Sequence, residues 1–467
     1  MADHTRIRTK INPQIDEIAV TQDTITGRGG LSLFVRYLRG MGIEPHVERL
    51  FGSLRKSRKG LAVFEIFKQM ICFFVDGTSR HVVYFDRLRR DGGYAAAIET
   101  APGSMISSHA LKRFLRSFWW PRIFLFRRLL QKLFLWRLRI VKPSIIILGL
   151  DMMILDNDEA PGRHGVEPTY KKVKGFGALQ LSWGRFIVDS VFRSGSKHSN
   201  HEETAKQMIR HVVAQIRKHY RADVPIIVRF DSGFFDQKFF GFLENIKVGY
   251  IGAGKLYDDM KSYIASIDPL TWRRYQNDRQ MWDFVEFGDR RGSWNRFRRA
   301  LFLRPHYEDR QQLLAFARPE MVIYTNVGMG QTVDMLIVHA GRADLLTPTG
   351  IIETYHDRGA DELVFRALKD FASETLPFKR FNQNAAWYYT MLLAFFVFES
   401  FKVDVGQPVI PVTAYPTTVR RVLIDFAAKI VSHSGKIVLK VTHATWEALR
   451  FRELWIRSGA PPVFAWL

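Results

Sequence analysis

The sequence predicts an α/β protein: a mixed five-stranded sheet flanked by helices, interrupted by a mostly β insertion and preceded by a basic helical region. Three observations lead there. Two β-branched, continuously apolar runs, residues 144–151 (SIIILGLD) and 225–231 (PIIVRFD), read as buried strands that each end on an acid. A long helical pattern over 200–220 separates them, as a crossover connection would. Upstream, residues 101–150 hold ten Lys or Arg and no Asp or Glu.

In order along the chain, residues 1–30 are polar and charged and read as a flexible lead-in without a secretory signal. Helical periodicity follows in 31–41, 60–75 and 79–88. At 107–118 a Ser N-cap precedes a basic amphipathic run, which 119–140 continues with Arg122, Arg127, Arg128, Lys132, Arg137 and Arg139 among Phe, Leu and Trp. The first strand, 144–151, is followed by strands at 177–183 and 185–194, joined by a tight turn at Gly184. The helix over 200–220 has Glu202 and Glu203 in its first turn and Lys218 in its last. Then come the strand 225–231, a helix over 236–246 and a fifth strand at 248–252. Three sequential strands pair as a meander, and the crossover returns the fourth parallel to the first. As neighbours, those two strands present Asp151 and Asp231 side by side at their carboxyl ends, where open α/β sheets place ligand sites. Each Asp is equally a common way to start a turn.

From about 257 to 350 the pattern breaks. This stretch holds Trp272, Trp282, Trp294, an arginine cluster (Arg290, Arg291, Arg296, Arg298, Arg299, Arg304) and short β-like runs such as 321–326. An aromatic helix over 379–402 follows, then a Pro-rich link at 407–416, a helix near 418–432, a short strand at 436–441 and a terminal helix. The expected division is a helical DNA-binding region over 1–140, a catalytic core in two parts (141–256 and 351–405), a β-rich insertion over 257–350 and a tail over 406–467.

Composition narrows the function. At 467 residues the chain is long enough for two to four domains, and its 47% apolar content is that of a folded protein. A net charge of +23 favours a polyanionic partner, nucleic acid or an anionic membrane surface. The basic run 107–140 fits either, and a helical module tracking DNA phosphates is favoured because other segments are basic as well. The apolar windows 70–75 and 388–398 are too short to span a bilayer. The lone Cys72 excludes an internal disulfide and a cysteine-rich zinc site. A soluble, cytoplasmic protein is the expectation.

The densest constellation lies in 355–369, YHDRGADELVFRALK. Taking Tyr355 as 0° on a helix, Arg358 falls at about 300°, Glu362 at about 340° and Lys369 at about 320°. Asp357 at about 200° and Asp361 at about 240° point elsewhere. One phenol, two cations and one acid therefore share a narrow face. Arg358 and Glu362 also have the spacing of a surface salt bridge, and that reading stays open on geometry alone. With the two strand-end acids, Glu362 completes an oxygen-only cluster of the kind that hard divalent ions such as Mg²⁺ require.

In these residues the chain resembles bacterial insertion-sequence transposases of the DDE class, which have an RNase H-like core. The acids correspond to Asp151, Asp231 and Glu362. The spacing Tyr355, Arg358, Glu362, Lys369 is that of the branch carrying a β-strand insertion, and VRFDSGFF around Asp231 and FNQNAAWYYTMLLAFF after the helix are typical of it. The resemblance covers about residues 140–405. It implies metal-dependent cut-and-paste transposition with two Mg²⁺ ions (Mn²⁺ as substitute): hydrolytic nicking, attack by the 3′-hydroxyl on the opposite strand to form a hairpin, and strand transfer. It further implies a homodimer bridging double-stranded DNA ends, namely terminal inverted repeats and target, in a nucleoid-associated setting. Tyr355, Arg358 and Lys369 are then expected on DNA phosphates, and Lys112, Arg113, Arg127, Arg128, Arg296 and Arg298 on DNA more widely. Trp294 is the first candidate to stack on an unpaired base, with Trp272 and Trp282 behind it. Competing readings are a catalytically inactive, domesticated DNA-binding derivative and a structure-selective nuclease of the same fold.

Weaker signals are set aside. Gly252-Ala-Gly-Lys255 lacks the Ser or Thr and the spacing of a phosphate loop. His198 and His201 have no third soft ligand close by, and Asp156 and Asp158 read as turn residues.

Overall fold

The computed structural model describes residues 15, 17–55, 60–197, 203–278, 280–306 and 320–465; His198 and His201 lie outside them. The described residues contain thirteen strands. β1 is Thr24–Thr26, β2 Ile146–Asp156, β3 Glu167–Pro168, β4 Lys174–Trp183, β5 Phe186–Ser194, β6 Ile226–Phe230 and β7 Gly249–Ala253. β8 is Arg273–Asn277, β9 Gln280–Asp289, β10 Arg298–Pro305, β11 Met321–Thr325, β12 Ala428–His433 and β13 Lys436–Lys440. The protein is a mixed α/β fold built on one large mixed sheet.

The five strands expected from the sequence lie in the order β5-β4-β2-β6-β7. β5, β4 and β2 form an antiparallel meander, and β2, β6 and β7 are parallel. The crossover from β5 to β6 runs through the helix Thr204–His219. The insertion does not fold apart from this sheet. β11 pairs antiparallel with β7, and β10, β9 and β8 continue outward from it. Among the described residues, β2 to β11 are therefore one ten-stranded sheet.

Sequence alternation decides what each face meets. Along β2, Ile146, Leu148 and Leu150 enter the larger core while Ile147 packs toward a second one, so Gly149 and Asp151 share Ile147's side. That second core sits under the extended half of the sheet, where Trp282, Leu301, Leu303 and Ile323 meet Ile351, Ile352 and Tyr355 of the helix Pro348–His356.

Two helices fill the larger core. Phe381–Phe401 is buried all round from Gln383 to Phe401, as expected of a helix apolar on every face. The Tyr388 hydroxyl within it takes a hydrogen bond from Gln180 and pairs with Ser190. Trp120–Val141 packs against it, and Leu129 to Leu138 are wholly buried.

That second helix corrects the reading of 119–140 as a surface phosphate-tracking element. Arg127 does not face solvent. Its guanidinium makes a two-pronged bond of 2.8 and 2.7 Å to the fully buried Asp189, which Gln131 also reaches. Arg137, buried likewise, pairs with Asp404 at 2.8 Å. Arg128 is exposed, as are Lys112 and Arg113 on the helix Ser108–Leu115, whose Ser107 cap accepts from Ala110.

The two chain ends meet. β1 pairs with β12, and β12 with β13, so residues 24–26 belong to a sheet rather than to a flexible lead-in. The same pairing converts the second half of the helix expected over 418–432 into a strand; only Pro416–Val419 and the π-turn Arg420–Ile424 are helical. Arg28 clamps this junction through Asp76 at 2.5 Å and Asp425 at 3.0 Å. Among the described residues no helix is long and apolar enough to cross a membrane.

The burial of Asp189 generates a stability prediction. Removing one partner of a buried ion pair leaves the other charge uncompensated, at a cost of about 3–5 kcal/mol. Arg127→Gln is expected to lower the denaturant midpoint correspondingly, whereas Arg128→Gln, on the exposed face of the same helix, leaves it within experimental error.

Candidate active site

The parallel ladder of β2 and β6 fixes the first two acids. Its last pair is Leu150 opposite Phe230, so the next residues on the two strands are Asp151 and Asp231. Asp151 is not at the end of its strand. β2 runs on to Asp156 in antiparallel pairing with β4, and the acid stands at the point where β6 stops. Asp231 leaves β6 as the cap of a short turn, accepting from Gly233 N at 2.9 Å. Burial pushes the Asp151 carboxyl up to about 6; Arg358 opposes that shift and the Asp231 charge adds to it.

The stretch 355–369 is not one continuous helix. Pro348–His356 ends, Asp357 and Arg358 form the corner, and Gly359–Phe371 begins. Tyr355 and Lys369 therefore sit on different helices, while Arg358 projects from the break. From there it reaches two of the acids: Asp151 Oδ2 at 3.2 Å and Glu362 Oε1 at 3.7 Å. Burial raises the Tyr355 hydroxyl above its ordinary range, and the Arg358 charge opposes that shift. The Arg358 Nε is buried without a hydrogen-bond partner.

Glu362 projects outward, with its side chain 65% exposed. Its neighbour Asp361 turns inward and is almost fully buried, as the 100° step between them requires. Asp361 takes a bond of 2.9 Å from Arg229 and one of 3.2 Å from Ser182. Arg229 lies on β6 two residues before Asp231 and also donates to Thr354 O at 2.9 Å. Gly149 makes the close approach feasible, since a Cβ there would collide with the Asp361 carboxylate. This clamp ties both helices to the strands that carry the other acids. Sequence reasoning missed it, although an Arg inside a buried strand was the available signal.

The other expected residues are spread out. Lys369 lies two turns beyond Glu362 on the same face, about 10 Å along the axis, and pairs with Glu374 at 2.6 Å. It lines a cavity of about 770 Å³ with Thr78, Arg80, Asp156 and Arg420. Trp294 is buried against Phe235, Phe240 and Tyr324, with Arg298 over its ring at 5.1 Å. Its faces are filled, so it is a core residue and not a stacking platform. Arg298 is likewise buried and paired with Glu244, which exposed Arg296 also reaches at 3.1 Å. Trp282 is buried beneath His356. Trp272 is half-buried, with Arg304 over its ring at 4.0 Å, but it precedes β8, five ladder steps or about 24 Å from β6.

One aromatic near the acids was not anticipated. Tyr170, in the turn between β3 and β4, is 63% exposed and within electrostatic range of Asp151, Asp231 and Arg358. Burial of its hydroxyl, then the two aspartates, pushes that group up to about 12. Lys171, Lys172 and Lys174 follow it in sequence.

The donors available at this site are carboxylate oxygens, which suits a hard divalent cation and not zinc. Among the described residues, however, no three His, Cys, Asp or Glu are drawn together closely enough to hold an ion. The Arg358 guanidinium lies between Asp151 and Glu362 instead.

The clamp reverses one expectation, that Asp361 is a bystander. Asp361→Asn is expected to destabilise the protein by about 3–5 kcal/mol, because it leaves Arg229 buried and unpaired. Glu362→Gln, at an exposed position, is expected to leave the thermal midpoint within a degree or so, since exposed pairs contribute about 0–1 kcal/mol. Paired thermal melts of the two variants check this.

The family match agrees with the resemblance read from the motif. No curated protein matches the sequence. Among solved structures, the chain is similar to a piggyBac transposase in a synaptic complex with hairpin DNA, with a TM-score of 0.39 at 12% identity over 85% of this chain and 80% of that one. The family described as transposase DDE domain group 1 matches residues 12–457. Spanning nearly the whole sequence, that match places the chain in the family: it is a DDE-domain transposase family member.

Proposed function

We propose that this chain is a metal-dependent DNA transposase that excises and inserts an element by cut-and-paste, with an RNase H-like core. The observation that carries the reading is the adjacency of Asp151 and Asp231 at the end of the β2–β6 ladder, with Glu362 reaching the same guanidinium as Asp151. In this reading Asp151, Asp231 and Glu362 hold two Mg²⁺ ions, or Mn²⁺ in their place. Bound there, such ions supply charge stabilisation to the attacking and leaving oxygens of an in-line phosphoryl displacement.

The chain's own residues do the rest. Water attacks the phosphodiester at the element's end, the P–O3′ bond breaks, and a 3′-hydroxyl is released. That hydroxyl attacks the opposite strand, closing a hairpin and freeing the flanking DNA. After the hairpin is reopened, the same 3′-hydroxyl attacks target DNA. No side chain becomes covalently attached. Arg358, in the turn before the helix Gly359–Phe371, and Lys369, in that helix's last turn, would hold strand phosphates, with the hydroxyl of the largely buried Tyr355 as a further donor. Lys112, Arg113 and Arg128 remain exposed for the wider duplex. A homodimer would hold two ends at once.

Hairpin closure bends a strand sharply and requires an unpaired base to be held. Tyr170, an exposed aromatic within electrostatic range of Asp151 and Asp231, takes this role in place of Trp294. Stacking on one aromatic contributes about 1–3 kcal/mol. Tyr170→Ala is therefore expected to spare the first nick and slow hairpin closure by about tenfold or more, measured on end-labelled DNA in denaturing gels. Equal loss at both steps would remove Tyr170 from this role.

The decisive assay scores excised linear fragments from a plasmid carrying the element with Mg²⁺ present. Asp151→Asn, Asp231→Asn and Glu362→Gln are each expected to lose cleavage by orders of magnitude, each 1.4 kcal/mol of lost transition-state stabilisation being about tenfold, with DNA binding retained. A wild-type chain that binds DNA and never cuts it would be a domesticated derivative. Cutting without excision would make it a structure-selective nuclease.

A further inference from the structure

We propose that Arg358 is a lock on the acid site: its guanidinium neutralises Asp151 and Glu362 in the free protein and must leave them for a divalent ion to bind, the strand phosphate providing its second seat. The inference rests on the three acids being the metal ligands.

Four observations support it. Arg358 bridges carboxylates from different parts of the fold, Asp151 on the central strand and Glu362 on the helix beyond the break. The two contacts use different amino groups of one planar fork, Nη2 and Nη1, so the guanidinium stands between the acids and not beside them. The carboxylates as arranged do not converge on a common point. Finally, Arg358 Nε is buried without a partner, so the residue is not held in this pose by a full set of bonds.

Chemistry dictates the consequence. Clustered carboxylates, here the largely buried Asp151 and the exposed Glu362, repel less when a cation lies between them. A guanidinium fulfils that need in the free chain. A divalent ion fulfils it better, but ion and guanidinium repel each other and compete for the same oxygens. An arriving phosphate offers Arg358 a two-pronged partner of equal geometry. The Arg358 backbone is fixed in the turn by bonds to Tyr355 O and from Asp361 N, so the exchange of partners is a movement of the long side chain alone. DNA and metal would then each tighten the other's binding, as any coupling between two sites must be reciprocal. Water-filled, metal-loaded sites would be rare without DNA, which keeps the chain from hydrolysing stray phosphodiesters.

Mn²⁺ titration of the full chain without DNA, read by the electron paramagnetic resonance of the free ion, tests this. Arg358→Gln is expected to bind Mn²⁺ tighter than wild type by about tenfold or more, the usual size of such a coupling. Metal-free, the same variant should melt below wild type, because its acids have lost their counterion, and Mn²⁺ should raise its melting point by more than it raises that of wild type. Arg358→Lys keeps the charge without the fork and should fall between the two; it decides the matter by the same comparison if the Gln variant does not fold. Equal Mn²⁺ affinity in wild type and Arg358→Gln, with binding abolished by Asp151→Asn, would overturn the lock and leave the cleavage reading standing. Tighter binding without any loss of metal-free stability would also overturn it, since Arg358 would then be a distant repelling charge. Mn²⁺ binding that survives Asp151→Asn would overturn the lock together with the assignment of the acids.

Discussion

The parallel pairing of β2 with β6 is the constraint on which the site depends. Asp151 and Asp231 lie 80 positions apart in sequence, yet the register that sets Leu150 against Phe230 leaves them as neighbours with no choice of partner. That placement has a cost: two like charges at a half-buried strand end raise each other's energy, and burial holds a proton on Asp151 up to about pH 6. Everything nearby answers the same problem. Arg358 approaches from the helix corner, the turn at Ser232 gives Asp231 a backbone donor, and β4 covers the far side of Asp151.

The large excess of cations divides into two populations with different work. One is internal. Asp189 with Arg127, Asp404 with Arg137, Asp361 with Arg229, Glu244 with Arg298 and Glu399 with Lys402 are all buried or nearly so. The first four join segments distant in sequence, and in each the cation offsets the desolvation of the acid; the buried Asp334 is met by backbone N–H groups instead. The other population is exposed and has few acids to meet. The internal pairs match one acid to one cation, so they leave the net charge of +23 to the remaining groups.

This division explains what could and could not be read from sequence. The strands of the core were legible because β-branched apolar runs have few alternatives, and the opposite orientations of Asp361 and Glu362 followed from helical phase alone. The assignment of Arg127 and Arg298 to DNA was not safe, because the acids that bury them stand far off in the chain; Asp189 is 62 residues from Arg127. No local pattern separates an arginine with a distant buried partner from one left for solvent. Trp294 failed for the same reason. Its filling neighbours Phe235 and Tyr324 come from the loop after β6 and from β11, and flanking arginines suggested exposure where one of them, Arg298, lies across its ring. The insertion was legible as β structure, but its continuity with the sheet depends on one pairing, β11 on β7, that sequence does not announce.

The break between the two helices carries the remaining step. Asp357 and Arg358 turn between the helices with right-handed helical dihedrals, so Arg358 and Glu362 still stand one turn apart, and with Glu362 exposed that contact alone is worth little. What distinguishes Arg358 is its reach to Asp151 on β2, while Asp361 pins the second helix to Arg229. The motif's spacing is therefore not explained by one helical face. Its members occupy three positions relative to the corner: Tyr355 before it, buried in the second core; Arg358 at it, between the acids; Glu362 and Lys369 after it, two turns apart along one outward stripe. The fixed spacing keeps these positions in register with the strand acids, and the inward Asp361 is what holds that register.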